Sequence, residues 1–453
     1  MYTQTLQIVN SGTIESGFKG KKILFANIPA DGHFSPLTGL AVHLKKAGHD
    51  VRWYTGPSYY SRIKELGIPY YLFDKAKEIT IRNIDEVFPQ RKHIHNPIRK
   101  VIFDIRTYFI ERGPEFFDDI KEINKTFDFD VLICDSAFTG LAFVKEKMKK
   151  HVVAVGVFPL GESSKKLAPP IFGLTPAKSL SGRGFHALLR FLTNRVLFRK
   201  PHAILDEQYR REGFSRNGKN IIDMPIDKST IFLQSGTPGF EYHRDKISSH
   251  IHFIGPLLPF RRKAGQCLSF EEKLYRYEKI LLVTQGTFEG DVNKLIVPTL
   301  EAFKGTKYLV VATTAGWNTS MLQARYKGYD NIVIEDFIPF DLIMPHADVY
   351  ISNGGYGGVM LAISHKLPMV AGGLHEGKNE ICARIGFFKL GVNLRTEKPR
   401  SEKIKKAVME VLQDPDYRYN VEQLSEEFKR YNPAVLCGQL IDALPDLKLY
   451  QNN

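Results

Sequence analysis

Lys22-Ile23-Leu24-Phe25-Ala26-Asn27-Ile28 runs straight into Pro29-Ala30-Asp31-Gly32-His33-Phe34-Ser35-Pro36, and a helical pattern follows. The first seven residues are mostly apolar without alternation, the signature of a strand buried on both faces of a parallel sheet. The arrangement recurs in the second half. Val349-Tyr350-Ile351-Ser352 runs into Asn353-Gly354-Gly355-Tyr356-Gly357-Gly358, and Val359, Met360 and Ile363 open a helix.

Working outward, the first half holds further apolar runs at 51–55, 70–73, 131–134, 152–158, 230–233 and 252–254. The second half holds them at 280–284, 308–313, 332–334 and 369–371, and at 392–394. Helical patterns separate them. Repeated strand–helix units make doubly wound α/β sheets, and two such sets predict two Rossmann-like domains facing across a cleft. A chain of 453 residues also exceeds what one core usually supports. The expected boundaries are a first domain over 1–255, a linker over 256–275, a second domain over 276–432, and a tail helix over 433–453 that packs back on the first. The linker carries Pro256, Pro259, the basic cluster Arg261, Arg262 and Lys263, and Gly265, all loop signals.

Hydrophobic residues are 43% and charged residues 25%, the balance of a soluble globular protein. No apolar run is long enough to span a bilayer. Residues 1–20 lack the basic start and apolar middle of a secretory signal, so a cytoplasmic protein is expected. Cys134, Cys267, Cys382 and Cys437 are scattered, without a Cys-x-x-Cys pair, which argues against a disulfide framework or a zinc site. The net charge of +14 suits an anionic small molecule or membrane face. No nucleic-acid-binding motif accompanies it, so nucleic acid is not an expected partner. Arg183–Lys200 is amphipathic, with Phe185, Leu188, Leu189, Leu192 and Val196 on one side and Arg190, Arg195 and Arg199 elsewhere. Three readings stay open for it: a helix packed on its domain, an acceptor-pocket wall, or a membrane contact.

His33 lies just past the carboxyl end of the first strand, where open α/β sheets bind ligands, and imidazole titrates near working pH. Asp135 leaves the fourth strand-like run at the same edge and can fix the tautomer of a histidine, or cap a helix. Asp128-Phe129-Asp130 is an Asp-x-Asp pair, but Asp130 enters the strand that Asp135 leaves, about 17 Å away. The pair is therefore read as structural and no metal is predicted. Three glycine-rich turns follow strands in the second half: Thr284-Gln285-Gly286-Thr287, Asn353 to Gly358, and Ala371-Gly372-Gly373-Leu374-His375-Glu376. A glycine turn opening a helix presents amide N–H groups and a helix dipole to an anion such as a diphosphate; tight helix packing is the other reason for glycine there.

Taken together these motifs resemble the UDP-glycosyltransferase superfamily, in particular its bacterial macrolide-glycosyltransferase-like branch. The likeness runs from Lys21 to about Asp442. Asp31 to Pro36 resembles the family's Gly-His-x-x-Pro turn, and Asp135 its partner aspartate. Phe253-Ile254-Gly255-Pro256-Leu257 resembles the segment leaving the first domain. Phe337-Ile338-Pro339 stands where the family has an aromatic-x-Pro that stacks on the base, and Pro345-His346-Ala347-Asp348 matches as well. Asn353 replaces the family's histidine, as in one bacterial branch whose Glu-x-Lys-x-x-x-x-Ala-Arg pattern resembles Glu376 to Arg384. Gly377 and Leu361 depart from an aspartate for the sugar and a glutamate for the ribose.

The resemblance implies a GT-B fold, with an acceptor-binding first domain and a donor-binding second domain. It implies an inverting transfer of a hexose, glucose by default, from a UDP-sugar, or of a deoxysugar from dTDP, to a small lipophilic acceptor such as a flavonoid, polyketide or other phenol. His33 is the implied base, supported by Asp135. Gly286, Thr287, Phe337, Ile338, Asn353, Gly354, Gly355, Gly357, Gly358, Glu376 and Lys378 are the implied donor contacts. No metal or cofactor is implied beyond the nucleotide sugar, and a monomer or weak dimer is expected. A membrane-surface enzyme with a lipid or sterol acceptor, a non-catalytic nucleotide-sugar binder and an epimerase stay open as alternatives.

Overall fold

A computed structural model of the chain describes residues 20–80, 83–260, 267–287 and 289–446. The amino-terminal stretch 1–19, the basic cluster Arg261–Lys263 with Gly265, and the end of the tail lie outside the described residues. Each strand-like run becomes a strand. In the first half these are β1 (Lys22–Ala26), β2 (Asp50–Thr55), β3 (Tyr70–Leu72), β4 (Val131–Asp135), β5 (His151–Gly156), β6 (Ile231–Ser235) and β7 (Ile251–Gly255). In the second half they are β8 (Lys279–Thr284), β9 (Tyr308–Thr313), β10 (Ile332–Glu335), β11 (Val349–Ser352), β12 (Met369–Ala371) and β13 (Gly391–Asn393).

They form two parallel sheets, ordered β3-β2-β1-β4-β5-β6-β7 and β10-β9-β8-β11-β12-β13. In the first, the chain winds outward from β1 in both directions, so the strand order reverses between β1 and β4. In the second, the reversal lies between β8 and β11. Such switch points leave a crevice at the carboxyl ends of the strands.

Both faces of each sheet are buried, which explains why the strands read as continuous apolar runs. Along β1, Leu24 and Ala26 enter one core, while Ile23 and Phe25 enter the core on the opposite face. Ile280 and Leu282 of β8 likewise separate from Leu281 and Val283. The Pro433–Asp442 helix, capped by the Asn432 side chain on the Val435 N–H, packs against the Asp31–Lys46 helix and β7. Its Cys437 and Ile441 join a core of the first sheet. Phe240, just beyond β6, is buried in a core of the second sheet.

Of the three readings of Arg183–Lys200, a helix packed by its apolar side is not what the fold shows. The Arg183–Lys200 segment is helical, over Leu180–Leu192 and a wide turn Thr193–Leu197, with Ser179 capping the Gly182 N–H at 3.1 Å. Its apolar side does not pack on the domain. Over 180–196 the buried positions are His186 and Thr193, with Phe198 entering the core only where the segment ends, and the half-buried Arg190 donates to the Leu167 carbonyl at 2.7 Å. Phe185, Leu188, Leu192 and Val196 face solvent, and only Leu189 is half-buried. Amphipathicity read from sequence gives the angle between two faces, but not which of them meets the protein.

Candidate active site

The site is built where the two switch points face each other. At the first, the turn after β1 delivers the Asp31–Lys46 helix, whose first turn carries His33. The Ala30 carbonyl accepts the His33 and Phe34 amides at 2.9 Å each, closing that turn without a side-chain cap. β4 lies beside β1, with Cys134 opposite Ala26, so Asp135 emerges next to His33. His33 Nδ1 lies 2.7 Å from Asp135 Oδ1; the histidine is 7% exposed and the aspartate fully buried.

Asp135 has two further donors. Its Oδ2 accepts the Ile28 N–H at 3.0 Å, and its Oδ1 accepts the Ala137 N–H at 2.8 Å. It is therefore no helix cap: the next helix starts at Leu141, with Gly140 at its cap position. Three donors hold the carboxylate in place, and the Nδ1 contact assigns the ring proton to Nδ1, which leaves Nε2 as an acceptor. The Phe158 ring lies 5.4 Å from the imidazole. Burial, and then the charge of Asp135, push the Cys134 thiol and the Tyr108 phenol above their ordinary pKa values, so both stay protonated beside the pair.

The second switch point carries Gly286 and Thr287 after β8, and Asn353 to Gly358 after β11. The Asn353 side-chain amide donates to the Gln285 carbonyl, joining the two turns. Gly286 and Gly354 have φ of +74° and +78°, the left-handed region where glycine is at ease. The four glycines of the second turn divide by role. A Cβ on Gly354 would lie 2.5 Å from Cys382 Sγ, and one on Gly358 would lie 2.6 Å from the Tyr350 hydroxyl. The Gly354 N–H is also already bound by Ser352 Oγ at 3.1 Å. These two glycines answer to packing. Gly355 and Gly357 meet no such obstacle, and they stand at the cap and first turn of the Tyr356–Ser364 helix, where amides have no intrahelical partner.

Phe337 follows β10 and is 70% exposed, whereas Ile338 is buried in the core, leaving only its backbone for a ligand. Glu376 has a φ of +57° and its carboxylate pairs with Lys378 at 2.6 Å; Lys378 begins the next helix. Of the Asp-x-Asp pair, Asp130 accepts the Lys22 N–H at 2.8 Å and Asp128 pairs with Lys150 at 2.6 Å, at the opposite edge of the sheet.

Sequence reasoning missed the contacts that join the two halves. Thr287 donates to Asp31 Oδ2 at 3.1 Å, across the cleft, while Arg62 pairs with Asp31 Oδ1 and donates to Ser35 Oγ at 2.8 Å. Deeper in, Arg384 is buried between Glu241 at 2.9 Å and Glu380 at 3.2 Å. Glu380 also accepts the Gly173 N–H at 2.6 Å, and Glu241 the Leu160 N–H at 2.7 Å. Burial raises the Glu380 carboxyl above the usual range although Arg384 opposes it. The family pattern ending at Arg384 and the four-residue spacing of Glu380 and Arg384 on one helix hint at this cluster; nothing local marks Glu241 or Arg62.

Known proteins match the chain in sequence and in fold. The family described as "Erythromycin biosynthesis protein CIII-like, C-terminal domain" matches residues 320–442. A 4'-demethylrebeccamycin synthase of Lentzea aerocolonigenes is 30% identical over 426 residues, covering 94% of this chain and all of the relative. A UDP-glycosyltransferase 2 of Phaeomoniella chlamydospora is 26% identical, covering 93% and 95%. Among solved structures, the glycotransferase of kitacinnamycin superposes with a TM-score of 0.72 at 15% identity, over 94% of this chain and 99% of that one.

Proposed function

The chain belongs to the bacterial macrolide-type branch of the UDP-glycosyltransferase superfamily and is a glycosyltransferase, and on that premise we propose that it transfers a hexose with inversion to a hydroxyl of a small lipophilic acceptor, using His33 as general base. The observation that carries this reading is the buried His33–Asp135 pair at the first switch point, with Nε2 left to accept a proton. The acceptor O–H gives its proton to Nε2 as its oxygen bonds to the anomeric carbon. The bond from that carbon to the diphosphate oxygen breaks, and the nucleotide diphosphate leaves with the electron pair. Asp135 holds the ring and stabilises the imidazolium.

In the same proposal the leaving diphosphate is met by the amides of Gly355 and Gly357, by the dipole of the helix they open, and by the Thr287 hydroxyl once Asp31 releases it. The base stacks on Phe337, and Glu376 with Lys378 holds the sugar. UDP-glucose is the proposed donor; the name of the fungal relative supports UDP, and a dTDP-deoxysugar is the other candidate. The name of the 30%-identical relative supports a natural product as the acceptor, and a flavonoid, polyketide or other phenol is the class proposed. No metal takes part in this scheme, so chelation with EDTA should leave the rate unchanged.

The test is a matrix of UDP- and dTDP-sugars against phenolic, macrolide and sterol acceptors, read by nucleotide release and product mass, with His33→Ala alongside. Acceptor-dependent release with a matching mass gain, lost in the variant, is expected. A variant as active as the parent would overturn the assignment of the base. A donor altered without any acceptor would point to an epimerase.

A further inference from the structure

The helix with its faces reversed is the most unusual surface of the molecule. Leu180, Phe185, Leu188, Phe191 and Val196 are 82%, 52%, 53%, 60% and 60% exposed, on one helix and the turn that continues it. At 1.5 Å per residue they mark out an apolar ridge about 24 Å long. Scattered apolar residues on a surface need no account, but a continuous ridge does. Its inner side is not vacant: Arg190 and Asn194 line a cavity of about 70 Å³ together with Leu167, Pro170 and Arg384.

The charge around the ridge is of one sign. Residues 163–205 contain eight Lys or Arg and no Asp or Glu. Lys178, Arg183, Arg195, Arg199 and Lys200 flank the apolar positions, and among the described residues none of these five forms an ion pair. A second copy of the chain is a poor cover for such a face, since it would bring like charge against like charge, on a molecule whose net charge is already +14. The surface that matches is anionic outside and apolar beneath.

We propose that this helix docks the enzyme on an anionic phospholipid bilayer. It lies in the plane of the interface, with Phe185, Leu188, Phe191 and Val196 entering the boundary between headgroups and acyl chains and the five cations meeting lipid phosphates. Among the described residues no helix is long and apolar enough to cross a membrane, so the contact is peripheral and reversible. This inference does not depend on the identity of the catalytic base.

The full chain is sedimented with vesicles of phosphatidylcholine alone and of phosphatidylcholine with phosphatidylglycerol, at low and high salt. Binding is expected only with phosphatidylglycerol, weakening as salt rises. Leu188→Ser with Phe191→Ser should cut the partition by roughly ten-fold or more, with UDP affinity and melting temperature unchanged, since both residues are exposed. A Phe191→Trp variant should shift its fluorescence to the blue on anionic vesicles. The proposal is overturned by no sedimentation with phosphatidylglycerol, by a double serine variant that binds like the parent, or by a Phe191→Trp emission that vesicles leave unmoved. A dimer in sedimentation velocity that the double variant splits would give the face to a second copy instead.

Discussion

The two switch points occupy equivalent places in their sheets but are finished in opposite ways. Between β1 and β4 the working groups are side chains. A buried aspartate takes two backbone N–H groups and a histidine nitrogen, and little is left free to move. Between β8 and β11 the working groups are backbone amides at a glycine turn and a helix start, and they stand open. Proton transfer needs a base in one tautomer and one orientation, which a buried, fully bonded carboxylate enforces. A diphosphate is large and multiply charged, and amides with a helix dipole suit it without a titrating side chain. On the proposed function, the difference teaches that the same βα geometry serves acid–base chemistry or anion binding, according to whether the turn carries side chains or dispenses with them.

The sharpest way to break this contrast is His33→Ala. It should lower kcat/KM by about 10²–10⁴-fold, while calorimetry finds UDP binding unaltered. A matching loss of UDP affinity would mean that the two sites are not separable. Asp135→Asn comes next. It removes the charge that supports the imidazolium and should reduce kcat by roughly 10²-fold, again with little change in nucleotide affinity.

On the glycine side the variants should behave differently from one another. Gly354→Ala meets both a positive φ and the Cys382 sulfur, and should cost about 1–3 kcal/mol in a denaturant titration. Gly357→Ala meets nothing within 4 Å and lies in a helix, so it should leave stability within about 1 kcal/mol of the parent. Its effect should be on donor affinity. Equal destabilisation by both would mean that the turn is built for packing throughout.

The smallest effect concerns the bridge across the cleft. Asp31→Ala frees the Thr287 hydroxyl and the Arg62 guanidinium and removes a negative charge beside the donor turn. UDP should then bind about 2–5-fold tighter, and Thr287→Ala should weaken it by a similar factor. Weaker binding in Asp31→Ala would show that the bridge organises the donor turn instead of competing with it.

Much of this was legible beforehand. The apolar runs located each strand because a strand buried on both faces leaves nothing polar to confuse the pattern. His33, Asp135 and Asn353 to Gly358 were found because each follows a strand directly, so chain order alone puts them at a carboxyl edge. The pairing of His33 with Asp135 across 102 residues was suggested by that shared edge, while the supporting N–H groups of Ile28 and Ala137 were not. The side chain of Ile338 lies in the core and leaves its backbone for a ligand, since a motif position does not say which way a side chain turns. Gly354 and Gly358 read as ligand contacts, and the structure adds a packing need for glycine at both, against Cys382 and Tyr350.

The two parallel sheets, the carboxyl edge at which the proposed site lies and the residue types there could all be read from the chain alone, because periodicity and the strand–turn–helix order are local properties. Only the tertiary structure decided what depends on partners distant in the chain. That includes the Arg384 cluster joining Glu241 to Glu380, the Asp31–Thr287 bridge, and the outward turn of the 180–196 apolar face. A local pattern fixes what a segment can bury, but which surface is available to bury it against is set by the rest of the chain.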